Sequence, residues 1–184
     1  MSVKILNLLP VTGDVFTPEM FKYMRKYLEP DTEVQMYQIT SGPPSIECEY
    51  DEALAAPDVL RLAKQGEEDG FQAIFINCFG DPAVKAAREY VDIPVFGGFE
   101  PATHIALGLA DSISIVTVLP NVVPNVEGNV SKARLNGRIV SIRNVNIPVE
   151  ELQDHEKLCK ALAEQSLLAI REDGAQAIVM GCTG

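Results

Sequence analysis

The chain has 184 residues, 47% apolar and 22% charged, enough to bury one large core or two small ones. Its 26 acidic residues against 15 basic ones leave a net charge of −11, which excludes nucleic acid as an expected partner, because phosphate binding needs clustered Lys and Arg. No apolar run approaches a membrane span, and the opening stretch MSVKILNLLP lacks the features of a secretory signal, so no membrane partner and a cytoplasmic setting are expected.

The elements alternate along the chain. Val3–Leu9 (VKILNLL) is a buried apolar strand. A helix follows from about Thr17, which can cap it, with Pro18 at its first position and Met20, Tyr23, Met24, Tyr27 and Leu28 as its apolar stripe. Residues 32–39 alternate like a strand. Residues 40–52 (TSGPPSIECEYDE) are a loop, and Asp58 to Glu68 reads as helix. Phe71 to Asn77 is a strand, the segment after Asp81 is helical, and residues 93–98 form a short strand ending on glycines. The pattern then restarts, with a helix from Pro101 to Leu109 and strands at 113–119 and 138–145. A long helix from Glu150 to Glu172, with Leu158, Leu162 and Leu168 facing inward, leads into a last strand at 175–181. Apolar strands alternating with helices imply parallel sheets covered on both faces, an α/β fold.

The restart is an internal repeat. SVKILNLLP (Ser2 to Pro10) aligns with SISIVTVLP (Ser112 to Pro120), and EDGFQAIFINCFG (Glu68 to Gly80) aligns with EDGAQAIVMGCTG (Glu172 to Gly184). Two copies of one unit, 1–98 and 99–184, would form two subdomains related by a pseudo-twofold, with a ligand cleft between them. Each copy is expected to be a mostly parallel sheet flanked by helices. The first copy continues past its cysteine for another helix and strand, so the second copy implies a continuation beyond Gly184.

The repeat singles out two of the four cysteines. Cys78 and Cys182 each end an equivalent strand at its C-terminal edge, where open parallel sheets bind ligands. Cys48 and Cys159 lie on no repeated edge and read as packing residues. With no CxxC pair and only two histidines, neither structural zinc nor another metal is expected, and a reducing cytosol leaves the thiols unbridged. His104 and His155 read as structural or solvated residues. A Cys78–Cys182 disulfide remains open as a redox switch.

Two opposed thiols suit one reaction class. A thiolate removes a proton from an acidic carbon while the other thiol returns one to the opposite face, inverting the stereocentre. A free cysteine ionises only near pH ~8.5 and needs help. Asp81 as a helix cap, with Pro82 in the first turn, would place Cys78 just before a helix N-terminus that favours thiolate. Gly80 and Gly184 would let the backbone approach a substrate closely.

On GPPSIECEYDEALAAP (Gly42 to Pro57), CFGDP (Cys78 to Pro82), VTVLPNVVP (Val116 to Pro124) and GCTG (Gly181 to Gly184), the chain resembles the Asp/Glu racemase superfamily, and within it the hydantoin racemase branch. The resemblance implies two α/β domains, no cofactor or metal, a small-molecule substrate and often a homo-oligomer. It implies Cys78 and Cys182 as the acid/base pair. Phe79, Gly80, Thr183 and Gly184 would line the pocket, Thr117 would face the substrate, and Pro10, Thr12 and Ser45 would belong to loops beside it. Leu9 and Val11 stand where the family has polar amides, and Val118 where a second hydroxyl is expected, so the pocket is less polar. The leading expectation is a cofactor-independent racemase of 5-substituted hydantoins or allantoin. The alternatives are an aspartate or glutamate racemase, a single-thiol decarboxylase or cis–trans isomerase, and a non-catalytic binding or redox-sensing relative.

Overall fold

The computed structural model describes residues 3–13, 22, 24–152 and 154–182, with the side chain of Glu150 excepted. Within it the chain divides into two units. The first runs to Gly97, and the second runs from Gly98 onward and also takes Glu47–Glu49.

The first unit is organised by β1 (Val3–Leu9), whose last four residues are buried. An apolar run of this kind suits a central strand covered on both faces, and β1 lies inside a four-stranded parallel sheet ordered β2-β1-β3-β4. The neighbours are β2 (Thr32–Gln38), β3 (Ala73–Ile76) and β4 (Val95–Phe96). Helix α1 (Glu49–Glu68) covers the sheet with Ala55, Val59, Leu62, Ala63 and Gly66, a stripe at helical spacing. At Gly66 the helix lies so close to β1 that any side chain would collide with Leu6 Cδ2. Helix α2 (Val84–Tyr90) buries Val84 and Ala87.

Two expectations change here. The loop expected to 52 ends at Cys48, and the helix expected from Asp58 begins at Glu49, running through Pro57. Proline removes one hydrogen bond to the carbonyl a turn earlier; here both Pro57 and Ala53 are exposed, so water can satisfy that carbonyl. Of the helix expected from Thr17, residues 14–21 and 23 lie outside the described residues. Lys22, Met24 and Arg25 are helical, while Tyr27 is exposed in a turn rather than on an apolar stripe.

The second unit repeats the plan with three parallel strands ordered β6-β5-β7, namely β5 (Ile113–Thr117), β6 (Ile139–Asn144) and β7 (Ala177–Met180). All five residues of β5 are buried, as a central strand requires. The helices are α3 (Phe99–Leu107), α4 (Val123–Lys132) and α5 (His155–Glu172). Helix α4, preceded by a 3-10 turn at Pro120–Val122, has no counterpart in the sequence expectation. Its Pro, Gly and Asn residues hide a stripe of Val126 and Val130. The helix expected from Glu150 begins at His155, because Asp154 caps it: its carboxylate accepts from Lys157 N at 3.1 Å. Leu158, Leu162 and Leu168 are half-buried and Ala169 fully buried.

The strand ladders correct the repeat's alignment. Gln72 N donates to Lys4 O and Gln176 N to Ser112 O, and each glutamine's side-chain oxygen accepts from a backbone N–H of the central-strand segment, Lys4 N and Asp111 N. Lys4 therefore corresponds to Ser112, and the central strands match two residues away from the step that Pro10 and Pro120 suggest. A two-residue shift keeps every side chain on its face, so the hydrophobic pattern alone could not detect it.

Candidate active site

In the first unit the C-terminal ends of β1, β2 and β3 lie along one sheet edge, since Leu9 pairs with Gln38 and Leu8 with Ile76. Asn77 N donates to Leu8 O at 2.9 Å, and with that bond the chain leaves the ladder. Cys78 is next, half-buried, with its N–H on Ile76 O. Phe79 is 4% exposed and Gly80 is half-buried.

Beyond Gly80 the structure departs from expectation. Asp81 N bonds Cys78 O and Val84 N bonds Asp81 O, so two successive turns separate the cysteine from α2. The N-cap is Ala83, without a side-chain cap, and α2 is a helix of only seven residues. Asp81 is therefore not the cap, and the expected helix-dipole help for Cys78 does not stand. Asp81 (φ 56) and Ala83 (φ 59) both adopt left-handed backbone, which costs a non-glycine residue about 1 kcal/mol or more. The Asp81 carboxylate lies against Gly97, where any side chain would collide with it.

Two further loops share this edge. Buried Pro10 and exposed Thr12 follow β1, and half-buried Ser45 lies in the loop after β2. The loops are strapped together: Thr12 N donates to Pro43 O at 2.9 Å, Gly13 N to Pro44 O at 3.2 Å, and Gln38 Nε2 to Gly13 O at 3.0 Å. Gly13 sits so close that a Cβ there would meet Pro44 O at 2.5 Å. Asp58 of α1 holds the start of the second loop. Its Oδ2 accepts from Thr40 N at 2.7 Å, Ser41 N at 3.2 Å and the Thr40 hydroxyl at 3.3 Å, while Oδ1 faces Arg61 Nε. Burial alone would raise the Asp58 carboxyl, but Arg61 and the two loop amides outweigh it and hold it at about 2.

The second unit has the matching edge. Gly181 N donates to Val116 O at 2.7 Å, the counterpart of the Asn77 bond, and half-buried Cys182 follows directly. Thr117, fully buried, donates its hydroxyl to Gly181 O at 3.0 Å, so that hydroxyl fixes the backbone beside Cys182. Gly181 is a close approach, since a Cβ there would meet Ile115 Cγ2 at 2.9 Å and Thr117 Cβ at 3.1 Å and push them aside. Cys182 also packs on Val118, Ile147 and Leu152. Thr183 and Gly184 lie outside the described residues.

None of the four cysteines is in a disulfide. Cys159 is exposed, not a packing residue, and stands one turn from exposed His155 on α5. Among the described residues no group of three or more His, Cys, Asp or Glu could hold a metal, and no helix is long and apolar enough to cross a membrane. Sequence reasoning missed Asp58. The signal was a charged residue inside the apolar stripe of α1, between Ala55 and Val59.

Both units are parallel α/β sheets with a cysteine just past the last ladder bond of an equivalent strand. Residues 5–184 match the family model for Asp/Glu/Hydantoin racemase, and the chain belongs to that family, which makes it an isomerase. It is 36% identical over 185 residues to a hydantoin racemase of Pseudomonas sp. (strain NS671), covering 100% of this chain and 74% of that protein. Among solved structures, the allantoin racemase from Klebsiella pneumoniae matches with TM-score 0.93 and 35% identity, over 99% of this chain and 75% of that one. The allantoin racemase from Pseudomonas fluorescens matches with TM-score 0.92 and 29% identity, over 98% and 77%.

Proposed function

We propose that this protein racemises 5-substituted hydantoins or allantoin without a cofactor, with Cys78 and Cys182 as its acid/base pair. The observation that carries the reading is the matched place of the two cysteines: each is the residue after the last hydrogen bond to its central strand. The substrate class rests on the relatives named hydantoin and allantoin racemase.

The ring carbon between a carbonyl and a nitrogen is an acidic C–H. One cysteine thiolate takes that proton, and the electron pair moves into the neighbouring carbonyl as an enolate. The other thiol then gives its proton to the opposite face of the carbon, regenerating the carbonyl. One proton leaves, one arrives, and the two sulfurs have exchanged protonation states, so the enzyme is set for the reverse direction. By the family resemblance, Phe79 and Gly80, which follow Cys78 in sequence, and Thr183 and Gly184, which follow Cys182 in sequence, are the substrate-binding residues, with Pro10, Thr12 and Ser45 on the first unit's sheet edge. Thr117 serves by fixing the backbone of Gly181. The apolar Leu9 and Val11 suit a neutral ring better than a dicarboxylate.

The test is polarimetry on single enantiomers of a 5-substituted hydantoin and of allantoin. Cys78→Ser and Cys182→Ser should each lower kcat by roughly 10²–10⁴-fold with unchanged thermal unfolding. Full activity in either variant would overturn the pairing, and racemisation of free aspartate or glutamate in place of the rings would overturn the substrate class.

A further inference from the structure

We propose that Asp58 is a positioning residue for substrate, acting through the two strapped loops at the first unit's edge; this rests on the racemase reading above. Asp58 is the only charged side chain among the described residues that is buried, at 8% exposure. A buried carboxylate is costly unless engaged, and this one accepts from two loop amides and a hydroxyl. What the carboxylate adds is direction. It gathers Thr40 N, Ser41 N and the Thr40 hydroxyl, and so fixes the height at which the chain leaves β2.

From there the connection is continuous. Gly42 turns with φ 148, with Ile39 Cδ1 and the backbone of Ala55 on α1 crowding its open side. Pro43 O and Pro44 O then accept from Thr12 N and Gly13 N. The Asp58 carboxylate thus holds the loop that carries Ser45, and through that loop's Pro43 and Pro44 carbonyls the loop that carries Thr12. Arg61 holds the opposite carboxylate oxygen and keeps the group from turning away.

The experiment compares Asp58→Asn, Arg61→Gln and the double variant D58N/R61Q in the full protein, reading steady-state kinetics and amide hydrogen exchange. The side-chain amide that D58N introduces keeps an oxygen for the loop amides but turns its NH2 against the Arg61 Nε–H, donor against donor. Adding R61Q offers that NH2 a carbonyl instead. D58N should raise KM about tenfold with kcat within about twofold, and speed exchange at Thr40, Ser41, Thr12 and Gly13 while Ile74 in the sheet is unchanged. The double variant should recover most of both effects. A fall in apparent kcat tracking the unfolded fraction with KM unchanged would overturn the proposal, as would unchanged exchange at Thr12 and Gly13 or failure of the double variant to rescue. A wild-type protein inactive on every ring would sink the racemase reading alone, and the exchange pattern with its rescue would still decide whether Asp58 sets the loops.

Discussion

Cys78 and Cys182 follow equivalent ladder bonds, but the edges that present them are held by different means. After Cys78 the backbone makes two tight turns through left-handed Asp81 and Ala83, with Gly97 vacated for the Asp81 side chain. At Cys182 the hold comes from the neighbouring strand, where the Thr117 hydroxyl bonds Gly181 O and the bare Gly181 backbone lies against Ile115 and Thr117. The shared signature E-D-G-x-Q-A-I-x-x-x-C-x-G determines where the strand stops. What keeps the sulfur in place is set by residues outside it, so the two halves of one duplicated unit could diverge in support while keeping the thiol.

The largest break in this comparison should come from the second edge. Thr117→Val removes the hydroxyl without changing shape and leaves a buried carbonyl short of a partner. Urea unfolding should show a loss of ~1–3 kcal/mol, and kcat should fall with it. Unchanged stability would mean the Thr117 bond does not hold that edge.

Acid tests a carboxylate in each unit next. Asp58 in the first is held at about 2 against its burial by Arg61, Thr40 and Ser41; Asp173 in the second is held at about 2 chiefly by the Arg143 guanidinium, then by Ser141. A folded-state value below the ordinary 3.8 means the stabilisation is complete above about pH 4 and fades as pH falls toward 2. For Asp58 this is on the order of 2 kcal/mol. Urea titrations between pH 5 and pH 2 should show that decline in the wild type and a flatter curve in D58N; equal slopes would contradict it.

The smallest effect belongs to the first edge. Ala83→Gly relieves a left-handed alanine at the cost of a more flexible unfolded chain, so thermal unfolding should show a net gain of ~0.5–1 kcal/mol. A loss would mean that Ala83 is not strained.

Strand positions were legible in the sequence because buried parallel strands are short apolar runs, and the repeat was legible because glycine, glutamine and cysteine recur in step. Helix α4 was not, since Pro124, Asn125, Gly128 and Asn129 weaken the local signal and only packing of Val126 and Val130 restores it. The start of α1 was hidden by Pro57, which reads as a breaker unless its exposed face is known. The two-residue slip between central strands was invisible because it preserves alternation. The place of Cys78 and Cys182 just past their strands could be read, but Asp58 and the hold of Thr117 on Gly181 could not. Both act across sequence separations of 17 or more residues, through bonds to backbone that carry no residue signature.

The most direct test is racemisation of one hydantoin enantiomer in D2O, stopped early, with label read separately in product and recovered substrate. Two thiols working from opposite faces predict a product carrying deuterium at the inverted carbon and a substrate still carrying protium. A product that retains the substrate's own proton, or equal label in both pools, would contradict the paired-cysteine account.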